Sequence, residues 1–234
     1  MPPNASRTAD HAAGTEDALF PAERPPDDGA RAPWWLPRGH HYDLHIEHRS
    51  LEQAGPFTGG GNKLVWHITV SGWMTADAVW RVVRDNRSAP HLIIGGRAGR
   101  RHPVVIQCIP FNRAARALRH PSGPDTNRAD CLQVEICADV DDVPDFPRLR
   151  RYRALANLVR LTNLTVPDDR EVPRSLARAF TDTRRFGGRE FVRAAGHCGH
   201  MHVPGNDHVD ATTAFEGSVL LRRLEEMPAG GYAL

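Results

Sequence analysis

The stretch Lys63-Leu-Val-Trp-His67-Ile-Thr-Val70 decides the fold. It is apolar at nearly every position and rich in β-branched side chains, the pattern of a strand covered on both faces within a sheet. His67 is the one imidazole inside it. Just downstream, Thr75 can cap a helix in which Ala76, Val79, Trp80 and Val83 recur at helical spacing, until Ser88-Ala89-Pro90 stops it. Residues 92–94 and 104–109 are short β-type runs separated by Gly95, Gly96 and Gly99, which suits a hairpin or a short connection. From Cys131 to Cys137 the chain alternates, with Leu132, Val134 and Ile136 on one side and Gln133 and Glu135 on the other. Leu149, Tyr152, Leu155, Ala156 and Val159 mark a second helix, broken by Pro167 and Pro173. Strands and helices interleave, so the fold class is α/β.

Outward from this core the pattern fades. Residues 1–33 are rich in Pro, Ala, Asp and Gly without hydrophobic periodicity and read as a disordered or loosely attached arm. From Trp34 to Gly61 the sequence reads as an extended lead-in that ends in a Gly-rich turn, and with it the folded domain spans 34–220. Residues 221–234, with Pro228, Gly230 and Gly231, read as a tail.

Composition narrows the functional classes. The 234 residues are 40% hydrophobic and 25% charged, as in a soluble globular protein. Lys63 is the sole lysine, and the formal net charge of +2 argues against nucleic acid, which needs a clustered basic face. A weakly basic protein can nevertheless favour an anionic cell wall. The first dozen residues lack an apolar run behind a basic start, so neither a secretory signal nor membrane insertion is expected, and synthesis in the cytoplasm is. Cys108, Cys131, Cys137 and Cys198 have no paired spacing and read as reduced, buried thiols.

The histidines gather in two places, at His40, His41, His45 and His48 and at His197, His200, His202 and His208. The first group reads as part of a solvated lead-in rather than as a metal site. The second belongs to a run with eight ligand-capable side chains between His197 and Asp210, counting Cys198 and Asn206, which a solvated loop does not explain. His67 alone would be a hydrogen-bonded core histidine, and Glu135 alone a solvated or arginine-paired carboxylate. If both project from one face of the sheet, Glu135 is placed for acid–base work beside a metal.

The order of these features resembles the type 2 family of N-acetylmuramoyl-L-alanine amidases, which takes in AmpD-like enzymes, peptidoglycan recognition proteins and many phage endolysins. The likeness runs over roughly residues 35–215. It lies in the strand 63–69, in Ala89-Pro90-His91-Leu-Ile-Ile-Gly95, in Val105-Ile-Gln107-Cys-Ile-Pro110 with the helix-like Ala114-Ala-Arg-Ala-Leu118, in Thr126-Asn127-Arg128 followed by Gln133-Val-Glu135-Ile, and in Gly199-His200-Met-His202-Val-Pro-Gly-Asn206-Asp-His208-Val-Asp210. The last wording is closest to actinobacterial phage lysins.

The resemblance implies a central mixed β-sheet flanked by helices. It implies a Zn2+ ion held by His67, His200 and Asp210, Glu135 as general base and His208 at the position that stabilises the oxyanion. The activity implied is hydrolysis of the bond between muramic acid and L-alanine in peptidoglycan, by a monomeric endolysin-type lysin. The alternative is a peptidoglycan-binding module, or a phage structural part, of the same fold. The sequence departs from the family at His208, where AmpD-like enzymes have lysine, at Ala211-Thr212, which replaces Pro-Gly, and at Pro90-His91, where recognition proteins place a tyrosine.

Overall fold

The computed structural model describes residues 34–69, 75–118, 125–138, 148–211 and 213–227. The expected N-terminal arm and residues 228–234 of the expected tail lie outside them. In chain order the described elements are β1 (Gly39–His41), β2 (Leu44–His48), β3 (Lys63–Ile68), α1 (Ala76–Asp85), β4 (Leu92–Gly95), β5 (Val104–Gln107), β6 (Cys131–Ile136), α2 (Arg148–Thr165), α3 (Gly188–Arg193), β7 (Gly196–Gly199) and α4 (Gly217–Glu225). The strands form one mixed sheet in the order β1-β2-β5-β4-β6-β3-β7. The β1/β2 and β4/β5 pairs are antiparallel, and the others are parallel.

Every residue of β3 is buried, as its unbroken apolar run requires. Leu64, Trp66 and Ile68 point to the side covered by α2 and α4, where they join Leu92, Val134, Ile136, Leu155, Val159, Leu220 and Leu224 in the largest core cluster. Val65 points to the other side, with Cys131, Cys198, Phe186 and Phe191. On that second side α1 packs Ala76, Val79 and Val83 against Ile93, Val104 and Ile106. The Thr75 side chain accepts the Ala78 N–H at 3.2 Å and starts this helix where the sequence predicts. All four cysteines are buried free thiols.

Three local readings change. The lead-in contains β1 and β2, which join the sheet because Leu44 and Ile46 are buried against it and β2 runs parallel to β5. Their hairpin turns at Tyr42 and Asp43, both with positive φ (48° and 62°), a left-handed pair usually supplied by Asn-Gly. Residues 114–118 form no helix. Ala114 bridges to Gly55, and side-chain amides take the N–H groups that a helix would have used: Ala117 N–H donates to Gln133 Oε1 and Leu118 N–H to Asn127 Oδ1, both at 3.0 Å. Finally, α4 carries packed structure across residue 220, the expected domain end, to residue 225, with Leu224 buried.

Two core histidines are held neutral. His91 Nδ1 accepts the Gln133 N–H at 3.0 Å and its Nε2–H donates to Arg113 O at 2.8 Å, which fixes one tautomer. His197 Nδ1 accepts from Trp66 Nε1 at 3.3 Å. Burial pushes each imidazole down to about 4. An unfolded histidine titrates near 6.5, so the stability due to these two is complete above that pH and is lost as the pH falls toward about 4. Each shift is worth roughly 3 kcal/mol. Urea unfolding between pH 7 and pH 4 is expected to show stability falling with proton uptake, and His91→Gln to reduce that uptake by about one proton.

Candidate metal centre

The parallel register of β3 and β6 sets His67 directly beside Glu135. Both belong to the odd-numbered rows that face away from α2, so the two side chains meet, with His67 Nδ1 4.0 Å from Glu135 Oε2. On the other flank of β3, β7 runs parallel and pairs Gly199 with Trp66, which delivers His200 next to His67. The two rings lie 4.3 Å apart between centroids. Gly199 is needed for this approach: a Cβ there would stand 2.8 Å from Ala211 O and 3.1 Å from the Phe180 ring.

The loop after β7 folds back on itself to return Asp210 to the same place. Met201 N–H donates to Asp210 O at 2.5 Å. His202 accepts the Gly199 N–H on Nδ1 at 3.1 Å and donates from Nε2 to Asp182 O at 2.7 Å. Asn206 donates to His200 O at 3.2 Å and to Val203 O, while its Oδ1 accepts the His208 N–H at 2.8 Å. The returned Asp210 Oδ2 accepts the Ile68 N–H at 3.2 Å, which ties the loop to the end of β3.

One donor atom from each of His67, His200 and Asp210 lies within 4.8 Å of the others, and all three residues are buried. They form a group able to hold a metal ion. Nε2 of His67 and Nε2 of His200 are buried without a partner among the described residues, and such an unmet group costs about 1–3 kcal/mol. Burial, followed by the nearby His200, pushes the His67 imidazole well below its ordinary value, so it is neutral and able to ligate. Burial alone would raise the Asp210 carboxyl, but hydrogen bonds with His200 and His208 hold it well below the carboxylate range. The His67 imidazole and the Asp210 carboxylate thus have the protonation states that a divalent ion of the zinc type requires, and three protein ligands leave a position for water or substrate.

Glu135 sits beside this group without belonging to it. Burial, with the Asp210 charge second, pushes its carboxyl up to about 8. His208 stacks on His200 at 4.3 Å, places Nδ1 3.5 Å from Asp210 Oδ1, and leaves half of its side chain in solvent. Asp207 and Val209 beside it are exposed, and Val209 is the most exposed large apolar side chain described, at 66%. Other histidines of the run serve elsewhere: His197 stacks on Trp66 and His202 braces the loop. Sequence reading grouped them with the ligand candidates because composition cannot separate a ligating imidazole from a bracing one. Thr212, within the departure at 211–212, lies outside the described residues.

Zinc titration should raise the melting temperature of the wild-type chain and saturate near one ion per chain. His67→Ala and Asp210→Ala are expected to weaken that binding by on the order of a hundredfold or more. Full occupancy in both variants, read by calorimetry, would remove the centre.

No family model matches the chain, and no curated protein matches it. Among solved structures it is similar to the Staphylococcus aureus hydrolase AmiA, crystallised with its ligand, at 12% identity and a TM-score of 0.49 over 77% of this chain and 82% of that one. It is similar also to the endolysin N-acetylmuramoyl-L-alanine amidase LysCS of Clostridium intestinale, at 13% identity and a TM-score of 0.47 over 77% and 95% of the two chains. The N-acetylmuramoyl-L-alanine amidase LysC of Clostridium intestinale gives 13% identity and 0.45 over 77% and 97%. These likenesses are loose, and the function proposed next stands on the side chains of the centre and on the sequence motifs.

Proposed function

We propose that this chain is a zinc-dependent N-acetylmuramoyl-L-alanine amidase that acts on peptidoglycan as an endolysin-type lysin. One observation carries the reading: a mostly buried carboxyl outside the ligand group, Glu135, 13% exposed, shares a sheet face with His67 and lies 4.0 Å from it. A metal site needed only for stability has no use for a buried acid beside its ligands, because burying that acid costs free energy.

His67, His200 and Asp210 would hold the ion. Held there, zinc lowers the pKa of a water from about 15.7 toward about 7 and polarises the scissile carbonyl. Glu135 is then the proton carrier. Beside a bound cation Glu135 would ionise nearer neutrality, and as a carboxylate it would take a proton from the attacking water and return it to the departing alanine nitrogen. His208 offers the remaining ring nitrogen to the oxyanion that forms on the lactyl carbonyl. Its stacking on His200 and its contact with Asp210 orient the ring, and its half exposure keeps it at the mouth where substrate arrives. An imidazole carries full charge only when protonated, whereas the family lysine brings an ammonium charge at neutral pH, so this position is expected to give weaker stabilisation than that lysine. The chain's partner in this reading is a muropeptide strand.

The test uses defined muropeptides, with and without chelator, and product masses. Free stem peptide beginning with L-alanine is the expected product, and chelator should abolish it. Glu135→Gln should keep its zinc and lose roughly 10²- to 10⁴-fold in turnover. His208→Ala should keep zinc and lose less, mainly in kcat. Muropeptide binding without any cleavage in the zinc-loaded wild type would replace the hydrolase with a binding module.

A further inference from the structure

The first histidine group is not a lead-in, and its placement creates a feature that net charge concealed. The β1–β2 hairpin brings His40 opposite His45 across the antiparallel pair, with ring centroids 4.7 Å apart. The loop that enters β5 lies alongside, since His102 meets the His40 ring edge-on at 6.0 Å. That loop also carries Arg100 and Arg101, both exposed. At the other end of β1, Arg38 donates from Nε to His48 Nδ1 at 3.1 Å. Three guanidinium groups and several imidazoles therefore share one edge of the sheet.

Neither contributing segment contains an acid: residues 36–42 read Leu-Pro-Arg-Gly-His-His-Tyr and residues 96–103 read Gly-Arg-Ala-Gly-Arg-Arg-His-Pro. The nearest carboxylate on β2, Glu47, faces His45 Nε2 at 3.2 Å but is already matched by two guanidinium groups, those of Arg97 and of Arg49, the latter at 2.9 Å. Asp77 shares the same two arginines, so that four-residue group is neutral as a whole. Among the described residues the side chains of Arg100 and Arg101 have no carboxylate partner, although Asp43 in the neighbouring hairpin turn lies 3.9 Å from Arg153. Unmatched arginines grouped at an exposed edge raise a local positive potential even in a chain of small net charge.

We infer that this edge, formed by His40, Arg100, Arg101 and His102, is a docking surface for a base-free anionic polymer of polyol phosphate units in the cell wall. The choice of a wall polymer over nucleic acid rests on the amidase reading. The spacing of charges rests on this structure alone. Arginine suits the role because its planar fork of donors matches phosphate oxygens two at a time. His40 lies on β1, the edge strand farthest from β3 and β7, while Arg100, Arg101 and His102 lie on the β4–β5 loop, where they line a cavity with Ile136 and Cys137 at the end of β6. Such a surface would hold the enzyme on its insoluble substrate while leaving the catalytic mouth open.

The probe is soluble poly(glycerol phosphate), with a duplex DNA of equal charge and neutral dextran as comparators. The full chain should bind the first more tightly than the second and ignore the third. Raising salt from about 50 to about 300 mM should weaken binding by at least tenfold, as counterion release requires. The double variant Arg100→Glu/Arg101→Glu should lose at least about tenfold in affinity at low salt, with its cleavage of small soluble muropeptides unchanged, while Arg81→Glu on α1 should bind as wild type. Preference for DNA, equal binding by the double variant, or no binding by the wild type would each overturn the inference. Loss of muropeptide cleavage in the wild type would instead strike the amidase reading and leave the binding measurement valid.

Discussion

Everything in the centre depends on the parallel pairing of β3 with its two neighbours. A strand has side chains on alternate faces, so a slip of one residue in the β3/β6 register would send Glu135 to the α2 side while His67 stayed in place. The register is held because both faces of β3 are buried. Leu64, Trp66 and Ile68 must meet α2 and α4, and Val65 must meet the opposite cluster, so no shifted pairing keeps both sets covered. The Glu135 carboxyl and the His67 imidazole are thus positioned by hydrophobic packing rather than by any bond between them. The sheet sets the spacing, and the polar groups need only occupy it.

The third and fourth groups arrive differently, through a loop that must be rigid without the support of a sheet. Here the stiffness comes from hydrogen bonds within the loop itself. His202 and Asn206 satisfy backbone groups that would otherwise be buried unpaired, and Asp210 closes the loop onto Ile68 N–H. Asp210 therefore has two tasks that reinforce each other. Its anchor to β3 fixes where the carboxylate lies, and the neighbouring imidazoles keep it ionised despite burial. Glu135 has no such partners, and the same burial drives its carboxyl the other way. Two acids that each lie 4.0 Å from the same imidazole nitrogen so acquire opposite protonation preferences from one environment.

How much of this was legible in the sequence depends on how local each signal was. β3 and α1 were readable because burial on two faces forces an apolar run and a capping threonine leaves a fixed spacing. The β1–β2 hairpin was not, because Tyr42-Asp43 adopts a left-handed pair of conformations that neither residue announces, and the buried Leu44 and Ile46 are too few to set a period. Residues 114–118 looked helical for their alanines, yet five residues cannot nucleate a helix against two well-placed amide side chains, Gln133 and Asn127, that compete for the same N–H groups. The metal group was half legible. Histidine density marked the loop, but half of that density is bracing, and only the return of the chain from Gly199 to Asp210 separates the two uses. The resemblance to the amidases supplied that pairing before any geometry did.

The two ends of the sheet show why net charge was a poor guide to surface chemistry. At one end, positive and negative groups are interleaved on neighbouring elements and cancel at short range, as Glu47 and Asp77 do against Arg49 and Arg97. Just beyond that neutral cluster, segments without a single acid are brought together only by the fold, because residues 38–41 and 100–102 are some sixty positions apart in the chain. A sum over the sequence gives both regions the same weight, whereas the field outside the protein is set by whichever charges lack a neighbour of opposite sign within a Debye length, about 8 Å at physiological salt. A formal charge of +2 is compatible with local clusters of arginine where neighbouring acids such as Glu47 and Asp77 are matched by Arg97 and Arg49. β1 and the loop before β5 become neighbours only because β2 lies between them and pairs with both, a juxtaposition that no sum over the sequence contains.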